Sequence, residues 1–360
     1  MKIIFLAGSL NQGGAEYQII ALAKLFKDKG HDVEVFALTD YDFYLPLINE
    51  YAIKYSCLRN DQSRIKRILL TVKKIRASKP DLIISYLKVV SQVAIVAKLI
   101  SFSKSKLIIS ERTSLLKPLQ DQFHFNLALL ADHVTVNSVS KFHYIKQKFP
   151  LLAKKLSFVP NIIDVMYYSP SAVANTEPLL NRLTFVGRIS PEKNVVELVQ
   201  AVANLLSEGY DLTLDLYGSI INKSYTNQVA SLIESKSIGD KIKLKGKISN
   251  VKEVYDTSDL ICLVSKYEGF SNVLAEALSS GIPVVASDIE ENRYLIEDST
   301  NGFLVNPNDV TSISTGIKNF LTLNRNERQI LKLNNRKKAE ALLDKEKIYQ
   351  QYIDIIKFRK

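Results

Sequence analysis

Two patterns of apolar positions alternate from one end of the chain to the other. Runs such as IIFLA at 3–7, LIISY at 82–86 and LICLV at 260–264 are short and almost continuously apolar. A strand covered on both faces needs such a run, because neither side of it meets water. Between the runs lie longer segments whose apolar residues return every three or four positions, as Ile19, Ile20, Leu22, Ala23 and Phe26 do. That period marks one face of a helix. In the first half the pattern predicts strands at 2–7, 33–38, 52–57, 81–86, 106–110, 133–137 and 156–159, with helices at 14–29, 62–78, 90–102, 119–131 and 138–148. The stretch VPNIIDVMYYSP at 159–170 has two prolines and no amphipathic period, and reads as a linker. A second series follows, with strands at 182–187, 212–217, 241–245, 260–264, 283–286 and 303–305 and helices at 192–207, 222–236, 271–280, 310–322 and 326–342. A last helix at 345–358 carries Ile348, Tyr352, Ile355 and Ile356.

Strands alternating with helices imply α/β units and parallel sheets. The expected architecture is two Rossmann-like domains, 1–165 and 166–342, whose parallel sheets face across a cleft, with 343–360 packing on both. Open parallel sheets bind ligands beyond the carboxyl ends of their strands, so two such domains suit a reaction between two bound molecules.

Composition narrows the class. At 360 residues, 46% hydrophobic and 24% charged, the chain has the make-up of a soluble globular protein. The opening MKIIFLAGSL passes straight into a Gly-rich turn and a helix pattern, so it reads as a first buried strand and not as a signal peptide. No stretch is long and apolar enough to span a bilayer. Cys57 and Cys262 sit in strand-like runs and are expected to be reduced and buried, and the four histidines show no metal-ligand spacing with them. A reducing cytoplasm fits. The net charge of +11 is one-sided: residues 1–165 hold 24 Lys and Arg against 13 Asp and Glu, and 166–360 hold 24 against 24. An anionic partner is therefore expected for the first half. Nucleic acid is not the expected partner, because no recognition motif or interleaved aromatics accompany the charge.

Three loops carry candidate chemistry. Gly8 to Glu16 (GSLNQGGAE) joins the first strand to its helix, where backbone N–H groups can approach an anion, although a Gly-Gly pair also serves tight packing. Val186-Gly187-Arg188 ends a strand, and Pro191-Glu192-Lys193-Asn194 opens the next helix. Arg188 and Lys193 could hold a diphosphate there, or be two surface cations. In EGFSNVLAEA at 268–277, Ser271 or Asn272 caps a helix start whose N–H groups can face a phosphate. Glu268 lies in the loop before it, and Glu276 sits one turn inside, where a carboxylate can accept ribose hydroxyls.

Together GGAE at 13–16, VGR with PEKN at 186–194 and EGFSNVLAEA resemble the retaining glycosyltransferases of family 4, of the two-domain GT-B fold, and the similarity extends to NGFLVNPND at 301–309. The resemblance implies a bacterial surface-polysaccharide enzyme. It would move a hexose or N-acetylhexosamine from a nucleotide-diphosphate sugar, with a UDP-sugar favoured, onto a glycan or polyprenyl-linked acceptor. Carried over by position, Arg188 and Lys193 contact the donor diphosphate and stabilise the leaving nucleotide. Glu276 binds the ribose. Glu268, with Gly269 and Phe270, holds the donor sugar, and Gly14 presents an N–H to the diphosphate beside Gly187, Ser271 and Asn272. Many members carry a His after the strand LIIS at 107–110; here Glu111 and Arg112 follow, to shape the acceptor side or to form a structural ion pair.

A departing nucleotide diphosphate needs its growing charge met, and Arg188, Lys193 and helix N-termini can do so without a metal. No metal or other cofactor is therefore expected; Asp40-Tyr41-Asp42 reads as a solvated turn. Two other readings are a sugar-nucleotide epimerase of the same fold and a non-catalytic nucleotide-sugar-binding protein. Residues 59–79 hold eight Lys or Arg against the single acid Asp61. With Ile65, Ile68, Leu69, Val72 and Ile75 as the stripe buried on the sheet, those cations are expected to associate with an anionic membrane at the cytoplasmic face.

Overall fold

The computed structural model describes residues 1–112, 118–170, 181–248 and 250–357. They divide into two compact units, Met1–Ile162 with Lys345–Lys360, and Ile163–Asp344.

The first unit runs β1 (Lys2–Ala7), α1 (Gly14–Asp28), β2 (Asp32–Ala37), α2 (Leu45–Glu50), β3 (Lys54–Cys57), α3 (Arg64–Ser78), β4 (Leu82–Tyr86), α4 (Lys88–Ser101), β5 (Lys106–Glu111), α5 (Pro118–Ala128), β6 (His133–Val136), α6 (Val139–Lys148), α7 (Pro150–Ala153) and β7 (Leu156–Phe158). Its strands form one sheet in the order β3-β2-β1-β4-β5-β6-β7. Each pairing in it is parallel, with Ile3 beside Val33 on one side and Leu82 on the other. Alternate residues of β1 go to opposite faces: Ile3 and Phe5 join a core with α1, and Ile4 and Leu6 join one with α3 and α4. Burial on both faces is why the central strands β1 and β4 are almost continuously apolar.

The second unit continues β8 (Arg182–Val186), a 3₁₀ turn (Pro191–Lys193), α8 (Val195–Ser207), β9 (Thr213–Tyr217), α9 (Lys223–Ser235), β10 (Ile242–Gly246), α10 (Val251–Asp256), β11 (Leu260–Leu263), α11 (Asn272–Ser279), β12 (Val284–Ser287), α12 (Glu290–Arg293), β13 (Phe303–Val305), α13 (Val310–Leu321) and α14 (Arg325–Leu342). Its sheet has the order β10-β9-β8-β11-β12-β13, again parallel throughout. The last helix, α15 (Lys345–Lys357), packs Ile348, Tyr352 and Ile355 into the core around α1 in the first unit.

Strand order reverses between β1 and β4 in one sheet and between β8 and β11 in the other. The loops leaving the carboxyl ends of such strands turn to opposite faces and open a crevice, the usual ligand position in this kind of sheet. All three candidate loops leave β1, β8 or β11.

Two expectations need correction here. The helix foreseen at 192–207 is broken: Pro191–Lys193 is a 3₁₀ turn, Asn194 is left-handed at φ 60°, and α8 starts at Val195. Cys262 is buried, but Cys57 is exposed, because β3 is the edge strand of its sheet.

Candidate functional site

The site is built first at the β8–β11 reversal. Beyond Val186 the Gly187 N–H donates to the Tyr217 carbonyl at 2.9 Å, so the two strand ends stay zipped together. Gly218 then crosses directly over Gly187 with φ +157°, and a Cβ there would lie 1.6 Å from the Gly187 carbonyl oxygen. Only glycine permits that approach, and it sets where Arg188 leaves the sheet. Next, the 3₁₀ turn is pinned by Asn194, buried, whose side-chain amide donates to the Pro307 carbonyl at 2.5 Å.

This turn aims Lys193 across the strand boundary. Its Nζ lies 2.6 Å from Glu268 Oε1, and the two side chains are only 14% and 11% exposed. The Lys266 N–H donates to the Glu192 carbonyl at 2.9 Å, tying the two loops by backbone as well. Arg188 stands outside this pair, 56% exposed and 3.4 Å from Glu192. The arrangement is one shielded cation, one accessible cation and one carboxylate at the same crevice. Such a set can neutralise a diphosphate while the acid accepts from hydroxyls.

After Glu268, Phe270 is anchored in the core and Ser271 occupies the N-cap position of α11. Its hydroxyl does not cap the helix, contrary to expectation. It donates to Asn292 Oδ1 at 2.5 Å, and Asn292 in turn donates to the Ser287 carbonyl at 2.8 Å. Asn292 is fully buried and outcompetes the helix end for that hydroxyl, and the Asn272 N–H at the start of α11 donates to the Phe270 carbonyl at 2.9 Å.

Glu276, one turn into α11 and partly buried, accepts a hydrogen bond from Tyr255 Oη at 2.8 Å on Oε2. Burial pushes its carboxyl up to about 7, although the Tyr255 and Tyr168 phenols oppose that rise. Neither tyrosine was singled out from the sequence, because each reads there as an ordinary apolar position beside a linker or a short helix.

In the first unit, Gly14 begins α1 behind an extended Gly13 that offers no side-chain cap. The Glu16 carboxylate folds back over Gly13, so a Cβ at Gly13 would lie 2.2 Å from Glu16 Oε2. Burial raises that carboxyl above the usual range against a hydrogen bond from its own backbone N–H. An anion at Gly14 would therefore have to displace an acid or meet it protonated.

At the end of β5 the two charged residues take different partners. Glu111, 1% exposed, lies 2.9 Å from Nε2 of His124, which is fully buried in α5. Burial pushes Glu111 up, but His124, then Lys141 and Lys88, outweigh it and hold the carboxyl below its ordinary range. Arg112 does not pair with Glu111. It donates to Ser110 at 2.9 Å, Asn161 at 2.9 Å, Tyr86 at 2.8 Å and Tyr352 of α15 at 3.1 Å, and its guanidinium sits 4.3 Å from the Tyr86 ring centre. Glu111 is thus held by buried partners, and Arg112 fastens the last helix to the sheet. Asp40 and Asp42 are exposed after β2. Among the described residues no group of three His, Cys, Asp or Glu is placed to hold a metal ion.

Comparison with known proteins defines the class. Residues 12–167 match the model of Glycosyltransferase Family 4, and residues 174–338 match that of the glycosyl transferases group 1. The chain belongs to this glycosyltransferase family and has its GT-B architecture of two parallel-sheet units. Over 99% of its length it is 27% identical to 98% of a Campylobacter jejuni α-1,4-N-acetyl-D-galactosaminyltransferase whose acceptor is a diphosphoundecaprenol-linked glycan. Over 83% of its length it is 23% identical to 86% of the amylovoran biosynthesis glycosyltransferase AmsD of Erwinia amylovora. Among solved structures, Anabaena HepE in complex with UDP superposes with a TM-score of 0.86 at 23% identity, covering 98% of this chain and 99% of that one.

Proposed function

We propose that the protein transfers a hexose or N-acetylhexosamine from a UDP-sugar, with retention, to a glycan or polyprenyl-diphosphate-linked acceptor in bacterial polysaccharide assembly. The observation that carries the donor half is the grouping of Arg188, the Lys193–Glu268 pair and Glu276 around one strand-order reversal. In this reading the donor diphosphate lies against Arg188, Lys193, Gly187 and the first N–H groups of α11, with Ser271 and Asn272 at that helix start. Glu276 accepts from the ribose, and Glu268 with the Gly269–Phe270 backbone holds the sugar. As the glycosidic bond breaks, charge builds on the outer phosphate, and fixed cations stabilise it there without reorganising. The acceptor identity is supported by the Campylobacter relative's lipid-linked substrate and by the excess of 24 Lys and Arg over 13 Asp and Glu in residues 1–165.

Incubation with UDP-sugars and an undecaprenyl-diphosphate-linked glycan tests this directly. A product with the donor's anomeric configuration supports the reading; change of the free donor sugar without an acceptor would point to an epimerase instead. The same reaction is expected to proceed without a metal, its initial rate in excess chelator staying within about twofold. Loss of activity to chelator, restored by magnesium or manganese, would contradict that.

Peripheral attachment to the cytoplasmic membrane face belongs to the same proposal, and the geometry of α3 revises how it would work. Val72 and Ile75 are buried, whereas Ile65 and Leu69 stand 73% and 55% exposed. Lys74 is paired with Glu34, and Arg67 donates to the Asn60 carbonyl at 3.0 Å, so these two are engaged. Arg64, Lys66 and Lys73 are exposed around the two apolar side chains. A basic cluster near anionic headgroups contributes on the order of 1 kcal/mol per charge, and inserted apolar residues add to it. Wild type is expected to co-sediment with anionic vesicles at low salt, and an Arg64, Lys66, Lys73→Glu variant to lose most of that binding. Equal binding by both would remove α3 from the account. No helix among the described residues is long and apolar enough to cross a membrane.

A further inference from the structure

We propose that the phenols of Tyr255 and Tyr168 are positioning groups for the donor, which hydrogen-bond the Glu276 carboxylate and hold it where it accepts ribose hydroxyls. The inference rests on the reading of Glu276 as the ribose acid. Tyr255 lies on α10 with its ring in the core, 1% exposed, so its hydroxyl is its one polar contact point. That hydroxyl reaches Glu276 Oε2 at 2.8 Å. Tyr168 comes from the segment entering the second unit, packs on Tyr255 with ring centres 6.0 Å apart, and supplies a second phenol to the same carboxylate.

Both tyrosines are themselves held. The Tyr168 N–H donates to the Asp164 carbonyl at 3.1 Å, and Lys252 of α10 donates to the Ser169 carbonyl at 3.1 Å. Arg336 of α14 bridges the Val165 and Ser279 carbonyls at 2.7 and 2.6 Å, clamping the segment to the end of α11.

A buried tyrosine needs a partner for its hydroxyl, but a backbone carbonyl would serve at less cost than a carboxylate. The charged groups on the neighbouring elements do not replace the phenols. Lys252 is occupied by Asp256 at 2.9 Å, and Arg336 by Glu340 at 2.7 Å and the two carbonyls. By Gly281 it is the backbone carbonyl of Lys332 that approaches, and the Cys262 thiol of β11 is held protonated by burial. Burial raises the Glu276 carboxyl to about 7, and the two phenols lower it. Removing one phenol therefore protonates the acid near neutrality, where it can no longer accept from two hydroxyls.

The experiment is UDP binding by calorimetry from pH 6 to 9 on the full chain, each variant taken relative to wild type so that UDP's own ionisation cancels. If one phenol holds the acid down by about one pH unit, Tyr255→Phe binds UDP about fivefold more weakly at pH 7 and regains nearly wild-type affinity by pH 9. Tyr168→Phe, at a less buried position, shifts the same limb in the same direction and serves if Tyr255→Phe unfolds. A loss equal at every pH, which a purely structural tyrosine would give, or unchanged binding in both variants, overturns the proposal. Glu276→Gln separates the two layers. If it binds UDP as wild type does, the ribose-acid reading itself falls. If it binds weakly while both phenylalanine variants keep wild-type pH profiles, the phenol proposal falls alone.

Discussion

Lys193→Ala and Arg188→Ala are each expected to lower turnover by about a hundredfold or more, the scale of losing one preorganised charge partner for a leaving group. The two differ in what else they do. Arg188 is 56% exposed and touches Glu192 at 3.4 Å, so its removal should leave the thermal midpoint unchanged. Lys193 is 14% exposed against an 11% exposed Glu268 at 2.6 Å, and its removal strands that carboxylate. Breaking a largely buried pair by taking away one partner costs roughly 1–3 kcal/mol, less than a fully buried pair would. Lys193→Ala should therefore also melt earlier. Adding Glu268→Gln should restore the stability, because no uncompensated charge remains, and should not restore turnover. Wild-type turnover in folded Arg188→Ala and Lys193→Ala proteins would sink the donor-site assignment.

Glu276→Gln should weaken nucleotide binding and yet raise stability at alkaline pH. The Glu276 carboxyl is raised from 4.5 to about 7 by burial. A group whose folded pKa lies above its unfolded value favours the folded state most below the unfolded pKa. That contribution is lost as pH climbs through the folded one. Here the window runs from about 4.5 to about 7, and the loss across it is on the order of 3 kcal/mol. Glutamine never ionises and keeps a carbonyl for the Tyr255 hydroxyl, so the variant escapes the loss. At pH 8 it is expected to melt several degrees above wild type, with the gap closing towards pH 5. A variant less stable than wild type at both pH values would show that the carboxylate is not held at a cost. Strain of this kind, kept at a binding residue against stability, is common where a site must present charge.

The elements themselves were legible along the chain. Central strands such as β1, β4, β8 and β11 are apolar runs covered on both faces, and that requirement is local, so the run alone reveals them, whereas the edge strands β3 and β10 carry lysines and exposed positions. Helices such as α1, α8 and α13 announce themselves by period, and the Asn324–Glu327 capping box marks the start of α14. The short helices α2, α7, α10 and α12 were missed because fewer than two turns show no period. Proline at 191 and glycine at 187 located the candidate loops, since both act through their own backbone.

What those loops do with their side chains was decided elsewhere. Ser271 could not be read as anything but a cap from its neighbours, yet Asn292, twenty-one positions on, takes its hydroxyl. Glu111 meets His124 and Arg112 meets Tyr352 only because β5 lies inside its sheet, between β4 and β6, with α15 returned against it. Lys193 and Glu268 are 75 positions apart and join because strand order reverses between β8 and β11. The sequence by itself determined which residues form strands and helices and which chemical groups lie at their carboxyl ends, since propensity and burial act over a few residues. Only the tertiary structure decided which of those groups pair, because a hydrogen bond or ion pair is made between neighbours in space, and sheet order chooses the neighbours.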